Sequence, residues 1–132
     1  MADKLMRTFV VMSFFMVMAL FSGCGANGTS LTEADNGKQI SVKAGDDITL
    51  TLESNPTTGY SWQVMAMDGT VVTQVGESEY RSDGQNIPGS GGTETFRFKA
   101  VNSGKTSLKL GYMRPWESVQ PLETFTLQIV VQ

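Results

Sequence analysis

The alternation of apolar and polar residues after position 38 predicts a chain made of strands. Apolar side chains occupy every second position in five runs, and Thr, Ser and charged residues fill the positions between them. This pattern is typical of strands that bury one face and leave the other in water. The five runs lie at residues 47–53, 60–64, 95–100, 106–112 and 123–131, and weaker patterns at 40–42 and 71–80 complete the set.

The apolar face of each run predicts the core. Seven to eight short strands in about 95 residues, separated by closely spaced turns, are typical of an antiparallel two-sheet β-sandwich, with a small barrel as the alternative. We expect Trp62, in the third strand, to occupy the centre of the core. The predicted inward residues are Ile48, Leu50, Leu52, Tyr60, Trp62, Val64, Phe96, Phe98, Ala100, Leu108, Leu110, Tyr112, Phe125, Leu127, Ile129 and Val131.

The first 24 residues have a different pattern. Lys4 and Arg7 precede residues 8–21, which are fourteen uncharged and mostly apolar residues. Because a bilayer-spanning helix needs about 20 such residues, this stretch fits the apolar region of a signal peptide better than a membrane span. The following order, Leu-Phe-Ser-Gly-Cys at residues 20–24, resembles the lipobox of bacterial lipoproteins. That resemblance implies cleavage before Cys24, acylation of Cys24 and a lipid-anchored location in the cell envelope.

These patterns together predict three parts of the chain. Residues 1–23 are the predicted lipoprotein signal peptide, residues 24–36 are the acylated cysteine and a flexible tether, and residues 37–132 are one folded domain. The tether is predicted because residues 25–36 are small and polar, with only Leu31 to bury. The alternative for the N-terminal segment is an ordinary secretory signal followed by a free thiol.

Composition then narrows the function classes. The 132 residues include no histidine and one cysteine, and the net charge is −3 with a pI near 4.8. An acidic chain does not have the basic surface of a nucleic-acid-binding protein. Without histidine the commonest general base and metal ligand are missing, and one cysteine excludes an intrachain disulfide and a Cys-cluster zinc site. We therefore predict no cofactor and no metal, and a monomer is the default expectation.

Paired acids are the remaining candidates for catalysis. Asp46 and Asp47 are adjacent, and Glu77 and Glu79 are two residues apart. Their positions in strands and turns predict solvated edges, and no calcium-loop spacing accompanies them. The sequence therefore disfavours an enzyme.

Three connections between strands carry unusual residues. In the first, Pro56 fixes its own φ and Gly59 permits a positive φ, which predicts a stiff, projecting loop with two hydroxyl side chains at its tip. The second connection, residues 81–92, ends in small residues that allow another chain to approach closely. The third, residues 113–121, contains an Arg and a Trp, which are enriched at binding hot spots. The motif residues are Asn55, Pro56, Thr57, Thr58 and Gly59; Gly89, Ser90, Gly91 and Gly92; and Arg114, Pro115 and Trp116.

Each of these connections also has a purely structural interpretation. The first is a good turn sequence, the second fits a flexible hairpin loop, and Trp116 could fold back over an open end of the sandwich. In an immunoglobulin-like sandwich, however, the three connections are the B–C, D–E and F–G loops, which lie at the same end. They would then form one surface rich in Thr, Ser, Gly, Asn and Trp, which is the composition of a paratope.

In this order the three motifs resemble those of the chagasin-like inhibitors of papain-family cysteine peptidases, whose pattern is N-P-T-T-G, G-x-G-G and R-P-W. The resemblance implies an immunoglobulin-like β-sandwich that reversibly inhibits papain-like peptidases by placing all three loops in the active-site cleft. It implies that Thr57 and Thr58 lie closest to the catalytic cysteine and that residues 89–92 line the non-primed side. Residues 114–116 would lie on the other side, with Trp116 against an aromatic residue of the enzyme. The alternative is an envelope-anchored immunoglobulin-like adhesion or ligand-binding module.

Overall fold

The computed structural model describes residues 27–84 and 89–132, which form nine strands and two short 3-10 turns. The predicted signal peptide and Cys24 lie outside the described residues. Within the described part of the chain, no helix is long and apolar enough to cross a membrane. The strands are β1 Gly28–Leu31, β2 Gln39–Val42, β3 Asp47–Ser54, β4 Ser61–Ala66, β5 Val72–Gln74, β6 Glu79–Ser82, β7 Gly92–Ala100, β8 Gly104–Met113 and β9 Glu123–Val131, and the 3-10 turns are Glu33–Asp35 and Pro56–Thr58.

The strands form two sheets whose apolar faces enclose one core. One sheet has the order β1-β3-β7-β5, with β6 also paired to β7, and the other has the order β2-β9-β8-β4. This confirms the prediction of an all-β sandwich rather than a barrel. The antiparallel prediction is incomplete, since β1 pairs with β3 and β2 pairs with β9 in parallel.

The predicted alternation describes the core correctly. In β3 the residues Ile48, Leu50 and Leu52 are fully buried, and Trp62 in β4 is 4 % exposed. Pairing then stacks apolar residues across each sheet, because Leu50 lies opposite Phe96 and Leu110 lies opposite Phe125. The other predicted inward residues are buried in the same cluster, apart from Tyr60, Val64 and Tyr112, which are partly buried.

The segment predicted to be a tether is ordered from Gly28 onward. Strand β1 pairs in parallel with β3, which places Leu31 beside Leu50, and Leu31 is 5 % exposed. The prediction of a flexible tether over residues 25–36 is therefore wrong from Gly28 onward. The physical reason is that a short edge strand such as β1 can be held by one buried apolar residue and by backbone hydrogen bonds to a neighbouring strand. The composition of residues 25–36 does not show that such a neighbouring strand exists.

Two carboxylates organise this N-terminal part of the domain. Asp35 accepts a hydrogen bond from the backbone N–H of Thr32 at 2.9 Å, and this bond, together with the Lys38 ammonium, holds the pKa of Asp35 below its ordinary value. Asp46 accepts from the backbone N–H groups of Asn27 and Lys43 at 3.2 and 2.9 Å. Asp46 is 8 % exposed, so its prediction as part of a solvated edge is wrong.

The predicted strand at residues 71–80 is two strands. Strands β5 and β6 both pair with β7, and the chain leaves the sheet between them near Gly76, whose φ is 72°. The connection predicted at residues 81–92 is correspondingly shorter, since Arg81 and Ser82 belong to β6 and Gly92 begins β7. Similarly, Met113 belongs to β8.

Candidate functional site

The three motif-bearing connections lie at one end of the sandwich. We name them loop 1 (residues 55–60, between β3 and β4), loop 2 (residues 83–91, between β6 and β7) and loop 3 (residues 114–122, between β8 and β9). Residues 83, 84 and 89–91 of loop 2 are described. The pairing sets their positions, because Ser54 lies opposite Gly92 in one sheet and Ser61 lies opposite Met113 in the other.

Loop 1 is a closed turn whose polar groups bond within the turn. The backbone N–H of Gly59 donates to the carbonyl of Pro56 at 2.9 Å, and Gly59 has a φ of 83°, as the sequence predicts for a turn glycine. The hydroxyl of Thr58 donates to the carbonyl of Asn55 at 2.7 Å, and the hydroxyl of Thr57 donates to Oδ1 of Asn55 at 2.5 Å. Pro56, Thr57 and Thr58 are exposed, so the tip presents hydroxyl oxygens that still accept hydrogen bonds.

Arg114 joins loop 3 to loop 1. Its Nε donates to the carbonyl oxygen of Thr58 at 3.0 Å, and its guanidinium carbon lies 4.5 Å from the centroid of the Tyr60 ring. Its Nη1 forms an ion pair with Glu117 at 3.2 Å. A planar guanidinium is needed for this combination of one directed hydrogen bond and one stacking contact.

Trp116 lies over Gly59 and faces solvent. A Cβ placed on Gly59 would be 2.7 Å from Cη2 of Trp116, so the indole ring occupies the space that a side chain there would need. Trp116 is 71 % exposed and therefore does not fold back over the open end of the sandwich. The glycine of the first motif and the tryptophan of the third thus form one contact.

An aromatic group below loop 1 supports it. The hydroxyl of Tyr112 accepts a hydrogen bond from the backbone N–H of Asn55 at 2.9 Å. The ring of Tyr112 packs against Trp62 and Tyr60, with centroid distances of 5.2 and 5.5 Å. The indole N–H of Trp62 in turn donates to the carbonyl of Glu53 at 2.8 Å.

This supporting role was not predicted from the sequence. Tyr60 and Tyr112 appear there only as inward-facing strand positions. The sequence did contain one signal for it. Tyr112 is the last predicted inward position before a loop, and the hydroxyl of a tyrosine in such a place needs a hydrogen-bond partner.

Loop 2 is connected to the other loops less directly. Nδ2 of Asn55 donates to the carbonyl of Gly89 at 3.4 Å, and the backbone N–H of Asp83 donates to the carbonyl of Gly91 at 3.1 Å across the base of the loop. A Cβ on Gly92 would collide with the carbonyl of Arg81, which explains a glycine at that position. The hydroxyls of Ser82 and Ser90 are 3.5 Å apart.

The charged side chains at this end of the molecule lie in loops 2 and 3 and in the adjoining strands, and the loop 1 tip has none. A cavity of about 350 Å³ behind loops 1 and 2 is lined by residues that include Glu53, Ser54, Asp83 and Glu123. The Ser54 hydroxyl is buried and has no hydrogen-bond partner among the described residues. Among residues 27–84 and 89–132, no group of three acidic or cysteine side chains could hold a metal ion. The surface formed by the three loops therefore presents a projecting turn, hydrogen-bond acceptors, exposed glycine backbone at Gly89 and the aromatic face of Trp116.

Comparisons with known proteins agree with this geometry. The family model described as "Chagasin family peptidase inhibitor I42" matches residues 41–129. Amoebiasin-1 of Entamoeba histolytica is 37 % identical over 106 residues, covering 78 % of this chain and 99 % of that protein. Chagasin of Trypanosoma cruzi is 34 % identical over 92 residues, covering 65 % of this chain and 81 % of that protein. The crystal structure of the cysteine protease inhibitor EhICP2 from Entamoeba histolytica superposes with a TM-score of 0.72 and 25 % identity, covering 81 % of this chain and 97 % of that one.

Proposed function

The chain belongs to the chagasin family of cysteine peptidase inhibitors, and from that premise we propose that it reversibly inhibits papain-like peptidases by placing loops 1, 2 and 3 together in the active-site cleft. The family consists of peptidase inhibitors and not of enzymes. The alternative of an adhesion module draws no support from the relatives described above. One observation carries the three-loop proposal: residues of the first motif bond to both others, since Thr58 accepts from Arg114 of the third motif and Asn55 donates to Gly89 of the second.

Loop 1 is suited to the centre of a papain-like cleft. Such a site is a groove between two lobes with a thiolate–imidazolium pair at its floor. The exposed tip of Pro56, Thr57 and Thr58 has no charge to desolvate, and its hydroxyl oxygens can accept hydrogen bonds from the enzyme. A closed 3-10 turn also does not present an extended peptide bond in attack geometry, so loop 1 can block the cleft without being cleaved.

Loops 2 and 3 are suited to the two sides of the cleft. Glycines at 89 and 91 let the backbone of loop 2 approach an enzyme closely on the non-primed side, whereas Gly92 is buried at the start of β7. On the other side, Trp116 offers a large aromatic surface whose position is already restricted by Gly59, so its burial costs little side-chain entropy.

Inhibition of papain by the purified chain tests the proposal. We expect an inhibition constant below about 1 μM and full recovery of papain activity on dilution. A variant with Thr57, Thr58 and Trp116 all changed to Ala should lose inhibition, whereas Val101→Ala, far from the loops, should keep it. If the unaltered chain does not inhibit papain or any other papain-like enzyme, the proposal fails.

We further propose that Cys24 is acylated and anchors the protein in the cell envelope. The support is the lipobox-like order at residues 20–24 after an apolar stretch that is too short to span a bilayer. A multiply acylated cysteine anchors stably, since each buried CH₂ contributes about 0.8 kcal/mol. Gly28 lies beside Asp47, at the end of β3 opposite to loop 1, so an anchor near Gly28 would leave the three loops facing away from the membrane.

Metabolic labelling tests the anchor independently of inhibition. Cells grown with an alkyne analogue of palmitate should label the chain, and Cys24→Ala should abolish both the label and sedimentation with membranes. A Cys24→Ala protein that stays on membranes would exclude this anchor while leaving papain inhibition unaffected.

A further inference from the structure

Loop 3 carries an apolar surface that extends beyond its motif. Trp116, Val119 and Leu122 are 71 %, 60 % and 64 % exposed, and they are the three most exposed large apolar side chains among the described residues. All three lie within seven positions of one loop. Single exposed apolar residues are ordinary, but a cluster of this kind marks an interaction surface.

The backbone and its neighbours hold this part of loop 3 in place. The backbone N–H of Leu122 donates to the carbonyl of Tyr112 at 2.9 Å, and this hydrogen bond attaches the end of loop 3 to β8. Leu122 is 64 % exposed, whereas Phe125, three residues further on in β9, is buried in the core. The surface around Leu122 is thus presented outward by the hairpin.

Below the loop the apolar surface continues over β8. Gly111 has no side chain, and atoms of Met65, Met113 and Pro121 all lie within 3 Å of the point where its Cβ would be. These three side chains consequently pack together over Gly111, and Met65 is 47 % exposed. Pro121 precedes Leu122 in the chain, so this group of side chains joins the Leu122 end of loop 3 to β4 and β8.

We propose that Val119 and Leu122 form a second apolar contact with the same peptidase, on the same loop as Trp116. The inference rests on the proposed function. The partner of Val119 and Leu122 is an apolar surface of the peptidase beside the cleft. The reason is that loop 3 also contains Arg114 and Trp116, and Arg114 bonds to loop 1. A membrane is disfavoured, since Gly28 and the proposed anchor lie at the opposite end of β3.

A pair of matched double variants tests the contact. Val119→Ser with Leu122→Ser removes the two apolar side chains, and Val75→Ser with Val101→Ser makes the same kind of change at residues that are 48 % and 43 % exposed and outside the loops. Against papain we expect the loop 3 variant to raise the inhibition constant about tenfold, mainly through faster dissociation. The control variant should stay within about twofold of the unaltered chain, and both should keep its thermal unfolding midpoint.

Three results would overturn the proposal, and each differs from failure of the function itself. If the unaltered chain inhibits papain and the loop 3 variant inhibits it equally well, the contact does not exist. Unchanged inhibition with loss of a dimer in sedimentation would assign the surface to a second copy. Unchanged inhibition with lost binding to phosphatidylethanolamine–phosphatidylglycerol vesicles would assign it to a membrane.

Discussion

Loops 1 and 3 are linked to each other by several contacts, whereas loop 2 meets loop 1 through a single described hydrogen bond. Between loops 1 and 3 there are the 3.0 Å bond from Arg114 to Thr58, the stacking of Arg114 on Tyr60 and the contact of Trp116 with Gly59. The bond from Asn55 to the Gly89 carbonyl, at 3.4 Å, is longer and exposed. Among the residues that the structure describes, the same surface therefore contains one pair of loops that support each other and a third loop with one hydrogen bond to loop 1.

This difference bears on how each loop contributes to affinity, because a loop that is ordered before binding and a loop that becomes ordered on binding lose different amounts of conformational entropy. A loop that already has its bound shape loses little conformational entropy on binding, so its contacts appear almost fully in the binding free energy. Loops 1 and 3 are of this kind, because their motif residues hold one another. Substitutions that break their mutual contacts should weaken binding even where the changed atom does not touch the enzyme.

The largest effect is expected from Gly59→Ala. The left-handed backbone of Gly59 costs a residue with a Cβ about 1–2 kcal/mol of folding stability, and the binding loss arises because the new methyl group must displace Trp116 and alter the turn of loop 1. We expect about 3 kcal/mol lost in binding, which is roughly a 100-fold higher inhibition constant against papain. Gly76→Ala is the matched control, because its φ of 72° imposes the same strain where nothing lies within 4 Å. Equal inhibition by the two variants would contradict the contact.

Trp116→Ala should have the next largest effect. Removing an aromatic side chain that acts as a binding hot spot costs about 2 kcal/mol or more, which is about a 30-fold rise in the inhibition constant. Since Trp116 is 71 % exposed in the free protein, thermal unfolding should hardly change. An inhibition constant against papain within about threefold of the unaltered chain would show that Trp116 is not a hot spot.

Arg114→Lys should have an intermediate effect. Lysine keeps the charge but loses both the Nε–H donated to Thr58 and the planar group stacked on Tyr60, so we expect about 1 kcal/mol, or roughly a fivefold weaker inhibition of papain. Arg97→Lys is the control, since Arg97 forms an exposed ion pair with Glu79 on the first sheet and should be neutral. If Arg114→Lys behaves like this control, the link between loops 1 and 3 does not contribute to binding.

The smallest effect is expected from Gly91→Ala, measured as stability. A Cβ on Gly91 would lie 3.6 Å from the Ser54 carbonyl oxygen, which is an ordinary contact, and the backbone there is not left-handed. We expect less than about 0.5 kcal/mol of destabilisation by thermal unfolding, in contrast to Gly59→Ala. Destabilisation equal to that of Gly59→Ala would mean that loop 2 is as tightly held as loops 1 and 3.

Much of the fold followed from local pattern. The period of two in β3, β7, β8 and β9 correctly predicted the buried apolar residues. A strand that buries one face needs apolar side chains at alternate positions, and this requirement is visible in the local sequence. The parallel strand β1 was missed for the opposite reason. Its single buried residue, Leu31, carries too little signal, and its stability comes from pairing with β3.

The site was predicted in part. The motif residues could be chosen from turn chemistry and residue type, and their placement at one end followed from the order of strands. The contacts among them could not be predicted, since Tyr112 is 57 positions from Asn55 and Arg114 is 56 positions from Thr58. The peptidase-binding roles of these residues and the acylation of Cys24 remain predictions that the experiments above test.

The sequence by itself determined an all-β domain, most of its buried residues and the residues of three unusual loops, because alternation, turn residues and glycine act through neighbours in the chain. Only the tertiary structure decided that Arg114 closes on Thr58, that Trp116 rests on Gly59 and that Leu122 extends the exposed apolar surface. Those facts depend on pairing between strands distant in sequence, where the register of β4 with β8 sets which side chains meet. The physical reason is that contact across a sheet is specified by register, and register is a property of the whole fold.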